Sequence, residues 1–268
     1  MESFVPFESG PWKGFCSASW LDVFRDTESW LQENPGETVV HYPCRDVRRI
    51  VTSRGTIYLK HIRALTDKGL ARTEWFSYLK WVLRPSRAVG AWKAAVAMDA
   101  AGLDCPVPLL AARKREKGYP TDIIVTAEVP FPDCWNQLPG KSPAEVAKTV
   151  AHAAALLHAR KFAHGDFILR NLCLDTTCSR IVYLDNDRTW LPPFFVRRHY
   201  QRRNLAQMAY SLATKYGDLE PVRLFLVDYA AEAGWPSAGD RRRLLRITQR
   251  RYNHDKRRTP LELPQADE

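Results

Sequence analysis

The feature that most constrains the fold of this chain is a polar pattern set around two short apolar runs between residues 164 and 187. The stretch reads HGDFILRNLCLDTTCSRIVYLDND and contains Asp166, Asn171 and Asp185 beside strand-like residues. A plain β-hairpin could use some of these polar residues in its turn. It would have no reason to place all three at the rim of its strands, so the pattern indicates a functional site.

The two apolar runs predict a hairpin whose open end carries polar side chains. Residues 172–174 (LCL) and 181–184 (IVYL) are typical of strands joined by a short turn. In an antiparallel pair, Asn171 before one strand and Asp185 after the other would lie at the same end. A carboxylate and an amide oxygen suit Mg²⁺, a hard ion that prefers oxygen ligands. Asp166, on the preceding loop, could accept a proton from a substrate hydroxyl.

The order of predicted elements separates a strand-rich first half from a helical second half. The elements are a hairpin at 48–62, a helix at 86–102, a buried strand at 121–129 and a helix at 142–160 that opens with a capping box. We therefore expect an N-terminal lobe of residues 1–130 and a C-terminal lobe of residues 131–268, with a cleft between them.

Composition limits the class of protein and of partner. The 268 residues are 45% apolar with nine Trp, which is typical of a globular chain. No apolar run approaches the roughly 18–20 residues that span a bilayer, and the start shows no signal-peptide pattern. The six cysteines form no CxxC pair and are expected to be reduced thiols in a cytoplasmic protein. The net charge of +10 indicates an anionic partner such as nucleotide phosphates, nucleic acid or a membrane surface.

The Asp-x4-Asn spacing followed by an Asp at a strand end resembles the catalytic and metal-binding loops of protein-kinase-like phosphotransferases. The resemblance implies an α+β, bilobal protein-kinase-like fold, with an antiparallel sheet and one main helix in the N-lobe and a mostly helical C-lobe. It implies ATP and Mg²⁺ as cofactors. Asp166 would be the catalytic base, and Asn171 and Asp185 would be the magnesium ligands.

The same resemblance assigns nucleotide-binding residues. Lys60, in IYLKHI, matches the strand lysine that binds phosphates. The hinge beginning at Glu128 and Val129 would bind adenine through backbone groups. Two parts of the kinase pattern are missing from the sequence. These are a glycine-rich phosphate loop and a helix glutamate to pair with Lys60, for which Glu74 and Asp99 are the nearest candidates.

A narrower resemblance is to the bacterial lipopolysaccharide core kinases, which phosphorylate Kdo or heptose sugars. It rests on HGDFILRN followed by VYLDNDR, and on YLK, SRAVGAWKAAVAMDAAGLDCPVPLLAARKREKG and IIVTAEV in the family's order, over roughly residues 45 to 230. Asn186 stands where that family usually has an aromatic residue. The resemblance implies ATP-dependent phosphorylation of a sugar of the lipopolysaccharide inner core. It implies a cytoplasmic enzyme that could lie on the inner face of the inner membrane.

The C-terminal segment 239–258 is strongly basic, with nine Lys or Arg against two Asp. Charge runs are usually solvated faces. Here the arginines interleave with Leu244, Leu245, Ile247 and Tyr252, as on a helix that lies on an anionic membrane. We expect no nucleic-acid partner, because no nucleic-acid-binding motif accompanies the charge.

Other interpretations stay open from the sequence. A kinase-like enzyme could act on another small molecule or a protein, since aminoglycoside and choline kinases share His-Gly-Asp-x4-Asn. A pseudokinase scaffold would also suit the missing glycine loop and glutamate, and the basic tail could bind nucleic acid in a salt-dependent way. Asp187 could be a second metal ligand or a loop-stabilising carboxylate, while His152 and His158 are expected to be packing residues.

Overall fold

A computed structural model of the chain describes residues 3–66, 69–70, 83, 85–106, 108–136, 141–175, 180–254 and 261. The chain divides into two compact units. The first contains Met1–Pro130 and Asn186–Arg188, and the second contains Phe131–Asp185 and Thr189–Glu268.

The first unit is built on a seven-stranded antiparallel sheet. The strands of the unit are β1 (Phe4–Ser9), β2 (Trp12–Ser17), β3 (Glu37–Tyr42), β4 (Arg45–Thr52), β5 (Gly55–Arg63), β6 (Leu65–Thr66), β7 (Gly69–Leu70), β8 (Pro108–Glu116) and β9 (Tyr119–Ala127). The sheet has the order β1-β2-β8-β9-β5-β4-β3, while β6 and β7 pair separately. The sequence therefore predicted three neighbouring strands of this sheet, β4, β5 and β9, and missed β1, β2, β3 and β8.

The hairpin predicted at 48–62 is formed by β4 and β5. Thr52 pairs with Gly55 across a two-residue turn, and Gly55 has a φ of +115°, a backbone conformation that favours glycine. The buried strand predicted at 121–129 is β9, which begins and ends two residues earlier. Both predictions are confirmed within the usual margin at strand ends.

The core of the first unit is rich in aromatic residues. Trp12 and Phe24 are fully buried, and Trp30 joins them from helix α1 (Thr27–Glu33). Gly14, on the same strand β2 as Trp12, lies opposite β8 at very close range. A Cβ atom on Gly14 would overlap the carbonyl oxygen of Ala111, so only glycine fits there without moving a strand.

Helix α2 (Arg87–Ala100) is the main helix of the first unit, as predicted. Ser86 caps its start, because the Ser86 Oγ accepts a hydrogen bond from the Val89 N–H at 3.2 Å. The Ser86 hydroxyl in turn donates to the Asp122 carboxylate of β9 at 2.6 Å, which attaches the helix start to the sheet. Gly102, with a φ of +71°, follows the helix end.

The second unit is mostly helical. Its helices are α3 (Pro143–Ala159), α4 (Phe194–Tyr216), α5 (Glu220–Ala233) and α6 (Ala238–Asn253), and its strands are β10 (Leu172–Leu174) and β11 (Ile181–Tyr183). Helix α3 begins with the predicted capping box. The Glu145 N–H donates to the Ser142 Oγ at 3.3 Å, and the Ser142 N–H donates to the Glu145 carboxylate at 2.7 Å.

Helix α6 confirms the predicted helix and corrects the interpretation of its apolar residues. Leu244 and Tyr252, which suggested a membrane-facing side, are only 6% and 7% exposed. They belong to the face that packs within the second unit, where the Arg251 guanidinium lies 4.1 Å from the ring centre of Tyr210 on α4. Ile247 is 44% exposed. Helix α6 therefore presents arginines to solvent and keeps most of its apolar face inside.

Within the described part of the chain, every helix is too short or too polar to cross a membrane. The cysteines described there, at positions 16, 44, 105, 134 and 173, are free thiols, as expected. Cys178 and the rest of the β10–β11 turn at 176–179 lie outside the described residues.

Candidate active site

Asn171 and Asp185 lie at the same end of the β10–β11 hairpin. Asn171 directly precedes β10, and Asp185 follows β11 by two residues. Leu172 pairs with Tyr183, and the Leu184 N–H donates to the Asn171 carbonyl at 2.9 Å. The structure thus places both residues where the sequence placed them, at the open end of the hairpin.

The loop that carries Asp166 is fixed on both sides of this residue. The Asp166 N–H donates to the His164 Nδ1 at 3.1 Å, and the Asp166 carbonyl accepts from the Asn171 Nδ2 at 2.8 Å. The Asp166 residue itself is exposed. A general base needs this combination of a fixed backbone and a carboxylate that a substrate can reach.

His164 joins this loop to the end of β11. The His164 Nε2 lies 2.7 Å from the Leu184 carbonyl, while its Nδ1 accepts from the Asp166 N–H. A carbonyl only accepts and a backbone N–H only donates, so the ring is neutral with its proton on Nε2. His164 is 2% exposed. It therefore acts as a buried spacer between the Asp166 loop and the strand that leads to Asp185.

Asn204 of α4 holds His164 from the other side. The Asn204 Oδ1 accepts from the His164 N–H at 3.0 Å, and the Asn204 Nδ2 donates to the His164 carbonyl at 2.6 Å. The same Oδ1 lies 3.3 Å from the His158 Nε2, and the His158 Nδ1 lies 2.8 Å from the Tyr229 hydroxyl. Asn204 is 1% exposed, so these contacts form a buried polar network.

No sequence signal identifies Asn204, since nothing near it distinguishes a buried asparagine in a helix from an exposed one. His158 is a packing residue, as predicted. Burial lowers the pKa of His158 to about 4, so its ring is neutral at neutral pH. His152 differs, because it is exposed and lies 3.0 Å from the Glu232 carboxylate.

Lys60, on β5, forms an ion pair inside the first unit. The Lys60 Nζ lies 3.2 Å from the Asp187 Oδ2, and a guanidinium nitrogen of Arg87 lies 3.8 Å from the same oxygen. The side chains of Lys60 and Asp187 are 14% and 7% exposed, so Lys60 is not a solvated strand lysine. The sequence suggested Glu74 or Asp99 as its partner. The structure shows Asp187 as a partner of Lys60, which the sequence did not suggest, and Glu74 lies outside the described residues.

Asp187 lies in a short 3-10 turn, Asn186–Arg188, that packs against α2. The contacts of Asp187 with the Lys60 and Arg87 cations support a role as a stabilising carboxylate more than a role as a second metal ligand. Asn186, which replaces the aromatic residue usual in the resembling family, is 7% exposed. Asp185, just before the turn, has a φ of +55°. Non-glycine residues in this left-handed region are uncommon and are often retained at functional sites.

Glu128 and Val129 follow β9. The Glu128 N–H donates to the Thr56 carbonyl at 3.0 Å, and the Glu128 carboxylate accepts from the Arg49 Nε at 3.2 Å and from the Tyr58 hydroxyl at 3.4 Å. The carboxylate is thus engaged by its own sheet. This arrangement is compatible with the prediction that backbone groups, and not the side chain, would bind adenine.

The donor set at the hairpin fits Mg²⁺. Because the Asn171 Nδ2 is bound to the Asp166 carbonyl, the Asn171 Oδ1 is the amide atom that could bind a cation beside the Asp185 carboxylate. Mg²⁺ typically uses one or two protein carboxylates and completes its shell with phosphate oxygens and waters. Among the described residues, no group of three or more His, Cys, Asp or Glu is placed to hold a metal. One amide oxygen and one carboxylate are a typical protein contribution to Mg²⁺ when phosphate oxygens and waters complete its shell.

Comparison with solved structures defines the class of fold. The chain resembles WaaP, solved in complex with acyl carrier protein, with a TM-score of 0.60 and 15% identity over 93% of this chain and 99% of that one. It also resembles an aminoglycoside-3'-phosphotransferase of type VIII, with a TM-score of 0.58 and 17% identity over 83% of this chain and 96% of that one. A third similar structure is the Rio2 kinase of Chaetomium thermophilum in an ADP/Mg²⁺-phosphoaspartate complex. Its TM-score is 0.51, with 15% identity over 92% of this chain and 82% of that one. The predicted α+β protein-kinase-like fold is confirmed.

The family follows from the sequence match. The model of the lipopolysaccharide kinase (Kdo/WaaP) family matches residues 45–228, which is well over half of the chain. The chain therefore belongs to this family, and with its kinase-like fold it is an ATP-dependent phosphotransferase, as predicted. A comparison with curated proteins finds no match.

Proposed function

We propose that this enzyme transfers the terminal phosphoryl group of ATP to a hydroxyl of Kdo or heptose in the lipopolysaccharide inner core. Membership of the Kdo/WaaP family supports a lipopolysaccharide sugar as the acceptor. The observation that carries the proposal is the fixed loop around His164, which places an exposed Asp166 beside Asn171. This is the arrangement that a phosphotransferase acting on a hydroxyl requires.

In this proposal, Asp166 orients the acceptor hydroxyl and takes its proton as the new oxygen–phosphorus bond forms and the bond to ADP breaks. Asn171 and Asp185 hold Mg²⁺, which neutralises charge on the phosphates when it is bound. Phosphoryl transfer needs little covalent help from the protein, so positioning and electrostatic stabilisation supply most of the rate increase. Backbone groups of Glu128 and Val129 bind adenine.

Lys60 binds the nucleotide phosphates, and Asp187 keeps the lysine in position. The buried Lys60–Asp187 pair supports this role, because it does what a helix glutamate does in other kinases. Asp187→Asn keeps the shape and removes the charge. We expect it to weaken ATP binding by about 10- to 100-fold, because one charge-assisted hydrogen bond contributes roughly 1.5–3 kcal/mol.

Asp166→Ala tests the catalytic assignment. We expect calorimetry to show near-parental binding of Mg-ATP, and transfer to purified core oligosaccharide to fall by about 100-fold or more, as for loss of a general base. Asp228→Ala, on α5 of the same unit, is the matched control and should leave both measurements unchanged. Near-parental turnover by Asp166→Ala would remove Asp166 from the role of base.

An acceptor panel with labelled ATP tests the substrate class. We expect label on core oligosaccharides that carry Kdo or heptose, and none on aminoglycosides, choline or a generic protein substrate. Transfer only to one of those other acceptors would reject the lipopolysaccharide assignment. Failure of the parental protein to bind Mg-ATP would favour a scaffold without catalysis.

We further propose that the enzyme lies on an anionic membrane surface, where a lipid-linked acceptor would be found. The exposed side of α6 supports this contact. There an open groove of about 540 Å³ is lined by Gly239, Arg242, Arg243, Arg246, Ile247 and Arg250. Basic residues near an anionic leaflet each contribute roughly 1 kcal/mol of attraction.

A further inference from the structure

Exposed apolar side chains are concentrated in one short piece of the second unit, Trp190–Phe195, here called the aromatic segment. Trp190 is 40% exposed, Leu191 53%, Phe194 80% and Phe195 74%. The two phenylalanines are the most exposed large apolar residues in the described chain. Single exposed apolar residues are ordinary, but four within six positions form a patch, and such patches mark contact surfaces.

The aromatic segment is held in a defined shape. Its first residue, Trp190, exchanges two backbone hydrogen bonds with Ala163, at 3.1 and 2.9 Å. Pro193 occupies the cap position of α4, and its ring limits the backbone of the turn. Phe194 and Phe195 begin the helix, with their ring centres 5.8 Å apart in an edge-to-face arrangement. The rings are therefore presented to solvent by folded structure on both sides.

Helix α4 continues the aromatic segment with a basic stripe. Four exposed residues share one face of the helix because they are spaced i, i+3, i+4 and i+7: Phe195, Arg198, His199 and Arg202. No acidic residue occurs anywhere from 189 to 217. From other elements, Asp240 of α6 lies 3.3 Å from a guanidinium nitrogen of Arg202, and the Arg198 guanidinium lies 4.8 Å from the ring centre of Trp235. An aromatic end followed by a basic stripe is typical of elements that lie in the interface of an anionic bilayer, with rings among the acyl chains and arginines near the phosphates.

We propose that the aromatic segment and the basic stripe of α4 bind the surface of an anionic lipid bilayer. Helix α6 supplies little of the apolar part of such a contact, because its Leu244 and Tyr252 are buried and its exposed Ile247 stands among arginines. A protein partner fits less well, since a standard protein interface buries roughly 800 Å² on each side and four side chains are a small part of that. The inference rests on the proposed function in one respect, that the acceptor is carried in a membrane.

Vesicle binding of the full chain tests the inference. The probe is vesicles of phosphatidylethanolamine and phosphatidylglycerol, with phosphatidylcholine vesicles as the neutral comparison. Phe194→Ala combined with Phe195→Ala should weaken binding to the anionic vesicles about tenfold or more, because two ring contacts are lost. The melting temperature should not change, since both rings are exposed. Replacing both residues by tryptophan should restore binding.

The matched control removes two exposed side chains from the first unit. Tyr42 and Val51 are 54% and 70% exposed on β3 and β4, and replacing both by alanine should leave vesicle binding unchanged. Arg242→Gln combined with Arg246→Gln tests the α6 groove. If that pair abolishes binding while the phenylalanine pair does not, the aromatic segment is not the contact site.

Kinase activity on lipid-free core oligosaccharide separates this inference from the proposed function. The Phe194→Ala and Phe195→Ala pair should retain parental activity on that acceptor while losing vesicle binding. If the double alanine variant phosphorylates the free acceptor and still binds vesicles like the parental protein, the inference is overturned and the proposed function stands. Binding that depends on the two rings, without any sugar phosphorylation, would overturn the function alone. The inference is also overturned if the parental protein does not bind vesicles and sedimentation shows that it is a dimer which the double alanine substitution dissociates.

Discussion

Replacing Asn204 by alanine perturbs the support of the catalytic loop without touching a residue proposed to meet the substrate. The Asn204 side chain makes hydrogen bonds to the N–H and carbonyl of His164 at 3.0 and 2.6 Å, and to Gln207 at 3.1 Å. It also lies 3.3 Å from the His158 ring. Alanine would remove all of these contacts at a position that is 1% exposed.

The loss of folding stability in Asn204→Ala can be calculated from the two backbone groups of His164 that would lose their hydrogen bonds. A buried polar group left without its partner costs about 1–3 kcal/mol, and two such groups cost about 4 kcal/mol together. That is large for one substitution and a substantial part of the stability of roughly 5–15 kcal/mol that is typical of folded domains. The loosened loop carries Asp166, so kcat should fall while the KM for ATP changes little.

Urea unfolding followed by circular dichroism measures the effect, with an unchanged denaturant slope as evidence that the comparison is valid. Asn136→Ala is the control. Asn136 is exposed and its side-chain amide donates to Asp133 at 2.9 Å, so its loss should cost less than about 0.5 kcal/mol. An Asn204→Ala protein destabilised by less than about 1 kcal/mol, with parental kcat, would refute the supporting role of the buried network.

Two further predictions concern stability. Burial lowers the pKa of His158 from 6.5 to about 4, so between these pH values the unfolded chain binds more protons than the folded one. The free energy of unfolding should therefore keep its full value above about pH 6.5 and fall by about 3 kcal/mol towards pH 4. Urea unfolding at several pH values should therefore show a steeper acid loss for the parental protein than for His158→Gln, and equal slopes would contradict the assignment. Gly14→Ala should destabilise by about 3 kcal/mol in thermal and urea unfolding, because its Cβ would overlap the Ala111 carbonyl oxygen. Gly239→Ala, whose Cβ would meet only the edge of a side chain at 4.0 Å, should be neutral or slightly stabilising, and equal effects at both glycines would argue against the overlap.

Elements with local start and stop signals could be predicted from the sequence. Ser86 and Ser142 cap the helices predicted at 86–102 and 142–160, since a capping hydrogen bond closes within three residues. The β10–β11 hairpin could be predicted for the same reason. Its polar ends follow from strand pairing between near neighbours in the chain, which places Asn171 and Asp185 together.

Contacts between distant residues could not be predicted. Asp187 is 127 residues from Lys60 in the sequence, and no local pattern distinguishes it from Asp99 as a partner. The apolar spacing of α6 showed that a face exists but not that Leu244 lies inside the fold. Periodicity defines a side of a helix, and only tertiary packing decides whether that side meets protein, water or lipid.

The turn Asn186–Arg188 belongs to the first unit, although the residues before and after it belong to the second. Dividing the gene after codon 130 would therefore not separate the two units into complete fragments that could be exchanged between relatives. The upstream fragment would contain Lys60 without the carboxylate of Asp187, and the downstream fragment would carry that carboxylate without its cations. Chimaeras that exchange acceptor-binding halves between relatives should transfer this turn together with the half that supplies the lysine.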